Sequence, residues 1–357
     1  MLLCGRNRFM AVFYNYIKYS SFVANDASLI IKKHPLLTFA FDPTSKVMTP
    51  LVWIKQIFYL IIYANKYNVI YSHSAGYHTF IPSLLSALNL KKHIIILHGS
   101  ESNVLPSISY GNLLKPILGW FTRFSINNAT ELVPVSEAIL QSKSEYLSPS
   151  VEMGLMANMP HLKTPATIIY NGIDTSQFQI EHSIRNPYSF ITVASGIHDQ
   201  KTKKLKGIDL ILDIAKLFPF YHFTIVGSET IFGYGNDLLN VKLIKNVPNE
   251  KLGQLYNQNA YYLQLSLIEG FGVALCEAMA CGCVPIVSNV GILPTIATEN
   301  GYVLDKKELN LLSILIKSLP NKYDLAKGDI LRQSIIDRYQ NEIRFNGLLK
   351  ILNKYVY

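Results

Sequence analysis

Cysteine is scarce: there are four in 357 residues, three of them crowded at Cys276, Cys281 and Cys283. So few in a chain this long do not make a disulfide framework. The spacing C-x4-C-x-C is a poor zinc pattern, with no histidine nearby to complete a set of ligands. The three read as small buried thiols in a reducing cytosol. Long apolar runs are missing as well. The most apolar helix candidate, Leu51 to Ala64, is interrupted by Lys55 and Gln56 and is too short to span a bilayer. The start MLLCGRNRF has a basic segment but no apolar run behind it, so no secretion signal is expected. Internal repeats, low-complexity tracts and an Asp-x-Asp metal motif are absent too. Neither Phe9–Phe22 nor Phe190–Gly207 supplies a G-x-G-x-x-G after a strand, which argues against an NAD-dependent oxidoreductase.

What remains is a folded chain, 49% hydrophobic and only 16% charged, long enough for two α/β domains with a sizeable core in each. Its charge is lopsided. Residues 1–170 carry 14 Lys/Arg against 7 Asp/Glu, and residues 171–357 carry 19 against 17. A basic, aromatic-rich half suits nucleic acid, an anionic membrane surface, or solubility alone. The charges are scattered, with no basic run longer than two in that half, which disfavours nucleic acid.

Strand-like and helix-like periods alternate along the chain. Strands are expected at Phe9–Tyr14, Leu36–Phe41, Val69–Ser72, His93–Leu97, in the stretch Glu131–Ser136, and at Thr167–Tyr170. Helices are expected between them at 23–33 (with Asn25-Asp26 as cap residues), 51–66, 81–88 and 113–127. Residues 147–165 read as an excursion loop and 175–188 as a linker. A second alternation runs through strands Phe190–Ala194, Tyr221–Val226, Val241–Ile244 and Tyr262–Leu265 and helices at 207–217 and 249–258. Three helices, at about 306–319, 324–338 and 340–355, finish it. This is the rhythm of parallel sheets with crossover helices.

One stretch, Ser266 to Gly291, organises the rest. Glu269 and Glu277 stand either side of the turn Gly270-Phe271-Gly272. A helix-like run to Gly282 and a strand, Val284 to Val287, follow. A glycine turn opening a helix delivers free backbone N–H groups, which suit a phosphate or diphosphate. The flanking carboxylates suit sugar and ribose hydroxyls. The same pattern describes an ordinary solvated helix start with acidic residues favoured by the dipole, and the local residues leave both readings open.

These residues, with EAMACGCVPIVSNVG after the turn, resemble the retaining, nucleotide-sugar-dependent glycosyltransferases of family 4, which have the GT-B fold. The likeness extends from about Phe9 to the end and is stronger in the second half. It implies two facing Rossmann-like domains with a cleft between them. The first spans 1–178 and the second, nucleotide-sugar-binding domain 179–339, while the final helix at about 340–357 packs back on the first. It also implies roles. Glu269 holds the donor sugar, Glu277 the ribose, and Gly270, Phe271 and Gly272 the diphosphate, together with Lys206 of Lys206-Gly207. His98-Gly99 faces the transferred sugar from the other domain. Pro134-Val135-Ser136-Glu137 and Asn171-Gly172 line the cleft, although helix capping describes Ser136 adequately.

Two departures stand out. The loop Asn15 to Phe22 lacks the family's glycines, and Ala194-Ser195-Gly196-Ile197 lacks its arginine. Gly196 and Lys201 (or Lys203) are the donor-side candidates there, although an ammonium is not an arginine fork. The expectation is therefore a retaining transferase, moving a sugar from a nucleoside diphosphate sugar to a glycan or lipid-linked glycan hydroxyl in cell-surface polysaccharide or glycoconjugate synthesis. It needs no metal and no cofactor, and it lies in the cytoplasm, peripheral at the inner face of an anionic membrane. An inactive nucleotide-sugar binder of the same fold is the alternative. Donor base, sugar, acceptor and linkage are not legible.

Overall fold

Two parallel sheets carry the chain in this computed structural model, which describes residues 10–181 and 185–356. The first domain alternates β1 (Ala11–Tyr16), α1 (Ser21–Ile30), β2 (Leu36–Ala40), α2 (Thr49–Ile62), β3 (Tyr67–His73), α3 (Phe80–Ala87), β4 (Lys92–Leu97), α4 (Pro116–Asn128) and β5 (Glu131–Pro134). Its strand order is β2-β1-β3-β4-β5, all parallel. Val12 to Tyr14 and Ile94 to Leu97 are buried without a break, as strands covered on both faces must be. The expected start of the first strand, Phe9, lies outside the described residues.

The segment expected as a loop at 147–165 is partly ordered. After α5 (Glu137–Leu140), β6 (Ser142–Ser144) pairs antiparallel with β7 (Val151–Met153), and α6 (Leu155–Asn158) follows. The strand expected at 167–170 is not formed. That segment only runs along the edge of β5, with Thr167 N–H donating to Leu132 O and Ile169 N–H to Pro134 O. The helix expected at 23–33 begins two residues earlier, at Ser21. The side chains of Asn25 and Asp26 therefore lie inside α1 and do not cap it.

The second domain runs β8 (Asn186–Val193), α7 (Gln200–Leu205), α8 (Ile208–Leu217), β9 (His222–Val226), β10 (Val241–Ile244), α9 (Asn249–Asn257), β11 (Asn259–Gln264), α10 (Val273–Ala280), β12 (Val284–Ser288), α11 (Leu293–Ala297), β13 (Tyr302–Leu304) and α12 (Leu309–Lys317). The order β10-β9-β8-β11-β12-β13 is that of a doubly wound dinucleotide-type sheet. Part of the expected linker, 182–184, lies outside the described residues, and its last residues already belong to β8. Helix α13 (Leu325–Tyr339) packs on α10, and α14 (Asn341–Val356) lies against α1 and β3 of the first domain. Among the described residues no helix is long and apolar enough to cross a membrane.

Ligands of such sheets bind outside the carboxyl ends of the strands, where the strand order reverses. The reversals fall between β1 and β3 in the first sheet and between β8 and β11 in the second. The two ends face each other. The turn after β11 touches the end of β4, and Ser136 Oγ after β5 donates to Gly270 O at 2.6 Å. This is a correction for Ser136: it makes no cap bond to α5 and serves as a tie between the domains.

Candidate active site

The end of β11 holds a carboxylate by convergent donors. Glu269 Oε2 accepts from Lys206 Nζ at 3.1 Å, Gln264 Nε2 at 2.9 Å and Ser266 Oγ at 3.4 Å. Gln264 is itself fixed by Tyr262, whose hydroxyl donates to its Oε1 at 3.0 Å. All of these bonds fall on one oxygen. Among the described residues Oε1 accepts none, which leaves it for a ligand hydroxyl.

Lys206 stands directly before Gly207, the N-cap of α8, as expected, and at the same time closes α7, where the dipole favours a cation. Gly207 follows at φ +70°, and a Cβ there would lie 2.1 Å from Leu265 O. Only glycine lets the chain press this tightly against the end of β11, and that contact carries Lys206 to Glu269.

The glycine turn has a second close approach. A Cβ on Gly270 would stand 1.9 Å from His98 O, and one on Gly99 would lie 3.6 Å from Gly270 Cα. The turn therefore meets the other domain through backbone. Gly272, at φ +98°, caps the start of α10. The Phe271 ring is buried against Tyr170 and Tyr339, so its backbone is what the turn leaves for a ligand.

Glu277 is buried on α10, where its Oε2 accepts from Tyr256 OH at 3.1 Å. Burial pushes its carboxyl up from the ordinary 4.5 to about 7, against the stabilising hydrogen bonds of Tyr256 and Asn249. It lines a cavity of about 330 Å³ with Asn249 and Val273, facing Phe22, Asn25 and Asn171. Asn171 is buried, and among the described residues its Oδ1 has no hydrogen-bond partner.

His98, half-buried at the end of β4, heads a chain of polar groups that the sequence did not reveal. Its Nε2 lies 3.0 Å from His73 Nδ1, and His73 Nε2 lies 2.6 Å from Tyr14 OH. Tyr14 donates its one proton to Val23 O at 2.5 Å. His73 Nε2–H must therefore donate to Tyr14, and His73 Nδ1 accepts from His98 Nε2–H. That tautomer leaves His98 Nδ1 as an acceptor. Burial first, then His73 and Arg344, hold His98 well below its ordinary 6.5, so the ring is neutral near pH 7. Glu101, fully buried, fixes the turn by accepting from the His98 N–H at 2.5 Å and from Ser100 Oγ at 3.0 Å.

Behind this chain sits Asp26, 3.6 Å from His73 Nε2. It accepts from Tyr71 OH at 2.6 Å and is paired with Arg344 of α14 through Nε and through Nη2 at 2.6 Å. All three are buried. A signal was present. Asp26 falls on the apolar stripe of α1 with Val23, Ala27 and Ile30, and Arg344 on that of α14 with Leu348, Ile351 and Leu352.

Two expected donor-side lysines are used elsewhere. Lys201 Nζ reaches Ser109 O of the first domain at 2.7 Å, beside the Tyr110 ring. Lys203 Nζ donates to Phe232 O at 2.8 Å. Neither joins the Lys206–Glu269 pair, because α7, capped by Asp199 through Thr202, carries both away from it. Gly196, at φ +76°, shapes the turn before that helix. At the end of the stretch without glycines, Phe22 in the first turn of α1 packs on His98 with ring centres 4.2 Å apart. Cys276, Cys281 and Cys283 are buried thiols that burial holds above their ordinary range.

Two Rossmann-like domains meeting at the carboxyl ends of their strands, with the C-terminal helix returning to the first, define the GT-B architecture. A sucrose-phosphate synthase from Thermosynechococcus elongatus overlays with a TM-score of 0.72 at 13% identity, covering 97% of this chain and 98% of that one. Anabaena HepE, solved in complex with UDP-glucose, overlays with a TM-score of 0.65 at 14% identity over 97% of this chain and all of that one (100%). At these identities the likeness is one of fold. Residues 200–328 match the family described as Glycosyl transferases group 1. The chain is 25% identical to an uncharacterized glycosyltransferase of Methanocaldococcus jannaschii over 75% of its own length and 69% of that protein's. The likeness is thus to the group 1 glycosyltransferases.

Proposed function

We propose that the protein transfers a sugar from a nucleoside diphosphate sugar to an acceptor hydroxyl, with retention at the anomeric carbon and without a metal. The observation that carries this reading is the convergence of Lys206, Glu269 and the start of α10 at one end of the cleft, one helical turn from Glu277. The departing diphosphate is stabilised by the N–H groups opening α10 and by the Lys206 ammonium, both fixed before the reaction begins. Glu269 accepts hydroxyls of the donor sugar and Glu277 those of the ribose. The neutral His98 presents Nδ1 to the sugar from the opposite domain. Attack from the leaving-group side, with the departing phosphate oxygen taking the acceptor's proton, requires no protein base. The UDP-glucose complex of HepE supports a nucleotide-sugar donor. The acceptor in this reading is a glycan or lipid-linked glycan, met in the cytoplasm at the anionic inner face of a membrane.

A second reading, donor binding without turnover, rests on the commitment of Lys201 to Ser109, which leaves the diphosphate without the family's second cation. Calorimetry with a panel of nucleoside diphosphate sugars in EDTA separates the outcomes. The transfer reading expects one nucleotide sugar to bind selectively to the wild type and far more weakly to Glu277→Ala. Binding to none of them overturns both readings, and binding without consumption of the donor supports the second.

A further inference from the structure

Helix α2 turns its apolar stripe outward. Leu51, Ile54, Phe58, Ile61 and Ile62 recur at helical spacing and are 50% to 68% exposed, whereas Gln56 is buried. Its inward side is apolar too, with Leu60 in the core and Val52, Trp53 and Tyr59 packed against it, whereas a surface helix of a globular protein keeps its outward side polar. Between α2 and α3 lies an apolar groove of about 470 Å³, walled by Ile57, Leu60, Ile61, Ile81, Leu84 and Leu85. Lys91 borders it, with its Nζ held 2.6 Å from the carbonyls of Ala64 and Tyr67. On the other flank of α3, Ile117 and Trp120 of α4 are 68% and 54% exposed. Trp53, Phe80 and Phe121 bind the three helices together as one aromatic cluster. An apolar surface this wide on a single chain marks an interaction site.

The charge around it is of one sign. Between Asp42 and Glu131 the sequence holds a single acidic residue, Glu101, and that side chain is buried. Lys55, Lys66, Lys92, Lys115 and Arg123 in the same stretch are exposed. The face thus combines apolar depth with cations, and residues 43–130 contribute no exposed carboxylate to it. An anionic bilayer meets both features over a wide area. Helices α2, α3 and α4 also start from the connections that leave β2, β3 and β4 at their carboxyl ends, the end where His98 and Gly99 stand. The face therefore runs up to the cleft.

We propose that the α2–α3–α4 face docks on an anionic lipid bilayer. In this arrangement α2 lies in the interface with its exposed stripe among the acyl chains, and the groove beside it takes an acyl chain. The exposed lysines and Arg123 meet the headgroups, an attraction that salt screens. The docking locates the membrane side of the proposed function and rests on that reading only for the source of the acceptor.

The test is cosedimentation with vesicles of phosphatidylglycerol and phosphatidylcholine, against phosphatidylcholine alone, at low and high salt. Wild type is expected to pellet with the anionic vesicles and to be released in part by salt. Phe58→Glu with Ile61→Glu removes no buried contact and is expected to lower partitioning by about tenfold or more, because charge enters the apolar layer. Lys55→Glu with Lys66→Glu should abolish the preference for anionic vesicles. Phe220→Glu, at an 87% exposed position on the second domain, should change nothing. Donor binding by calorimetry is expected to be intact in all of them, so a failed donor site and a failed docking face give different results. The proposal is overturned if wild type stays in solution with every vesicle, or if the α2 variant pellets as wild type does. It is equally overturned if sedimentation equilibrium finds a dimer that the α2 variant dissociates, since the face then covers a second copy.

Discussion

Glu277 should make the unliganded protein less stable as pH rises, and Glu277→Gln should remove that dependence. The folded chain holds the carboxyl proton until about pH 7, whereas the unfolded chain releases it near 4.5. Between those values the folded state binds more protons, so its stability falls with rising pH. The contribution is fully present below 4.5 and is lost by the time the pH has passed 7. At about 1.4 kcal/mol per pH unit, this window amounts to at most about 3 kcal/mol. Glutamine keeps the shape and an acceptor for Tyr256 OH but has no charge to bury. Urea denaturation of both proteins should therefore give equal stabilities in acid and a gap opening toward 3 kcal/mol above about pH 8, with the variant the more stable. The same substitution should weaken the donor, because a carboxylate accepts ribose hydroxyls better than an amide does. Parallel stability curves for the two proteins would refute the burial argument.

Other substitutions test the remaining geometry. Gly270→Ala places a methyl 1.9 Å from His98 O and must push the domains apart at the cleft. Donor affinity should change little, while kcat falls about a hundredfold, as expected for a displacement on the order of an ångström; an unchanged kcat would show that the closed approach is not the working one. Asp26→Ala strands Arg344 in the core and should cost about 3–5 kcal/mol in denaturant titrations, whereas Asp26→Leu with Arg344→Met should recover most of it. If the double variant is as unstable as the single, the pair does more than neutralise itself. Lys206→Ala should reduce donor affinity and transfer together by about a hundredfold, as loss of a preorganised cation does. Equal donor affinity in wild type and variant would remove Lys206 from the diphosphate site.

The alternation of strands and helices was legible because both sheets are buried on both faces and each crossover helix is long enough to show its period. The pair Glu269 and Glu277 was legible because its geometry lies within one turn and one helix. What stayed hidden depended on contacts between distant segments. Arg344 meets Asp26 across 318 positions, and nothing local distinguishes that aspartate from a helix cap except its place on an apolar stripe. Ser136 looked like a cap for the same reason, although its partner is Gly270, 134 positions away. The contact of Lys201 with Ser109 was not legible because Asp199 starts a helix in what reads as a basic loop, and two turns are too few for a period to show. The edge segment 167–170 has the composition of a strand, yet only some of its backbone groups bond to β5.

The most direct measurement needs no acceptor. The α-linked nucleotide sugar selected by calorimetry is incubated with wild type in EDTA, and proton NMR follows the anomeric signal of the sugar released to water before it equilibrates. The α anomer should appear first, at a rate that Lys206→Ala and Glu269→Gln each lower steeply. A β anomer appearing first, or turnover that begins only when a divalent ion is added, would contradict a retaining transfer driven by Lys206 and the start of α10.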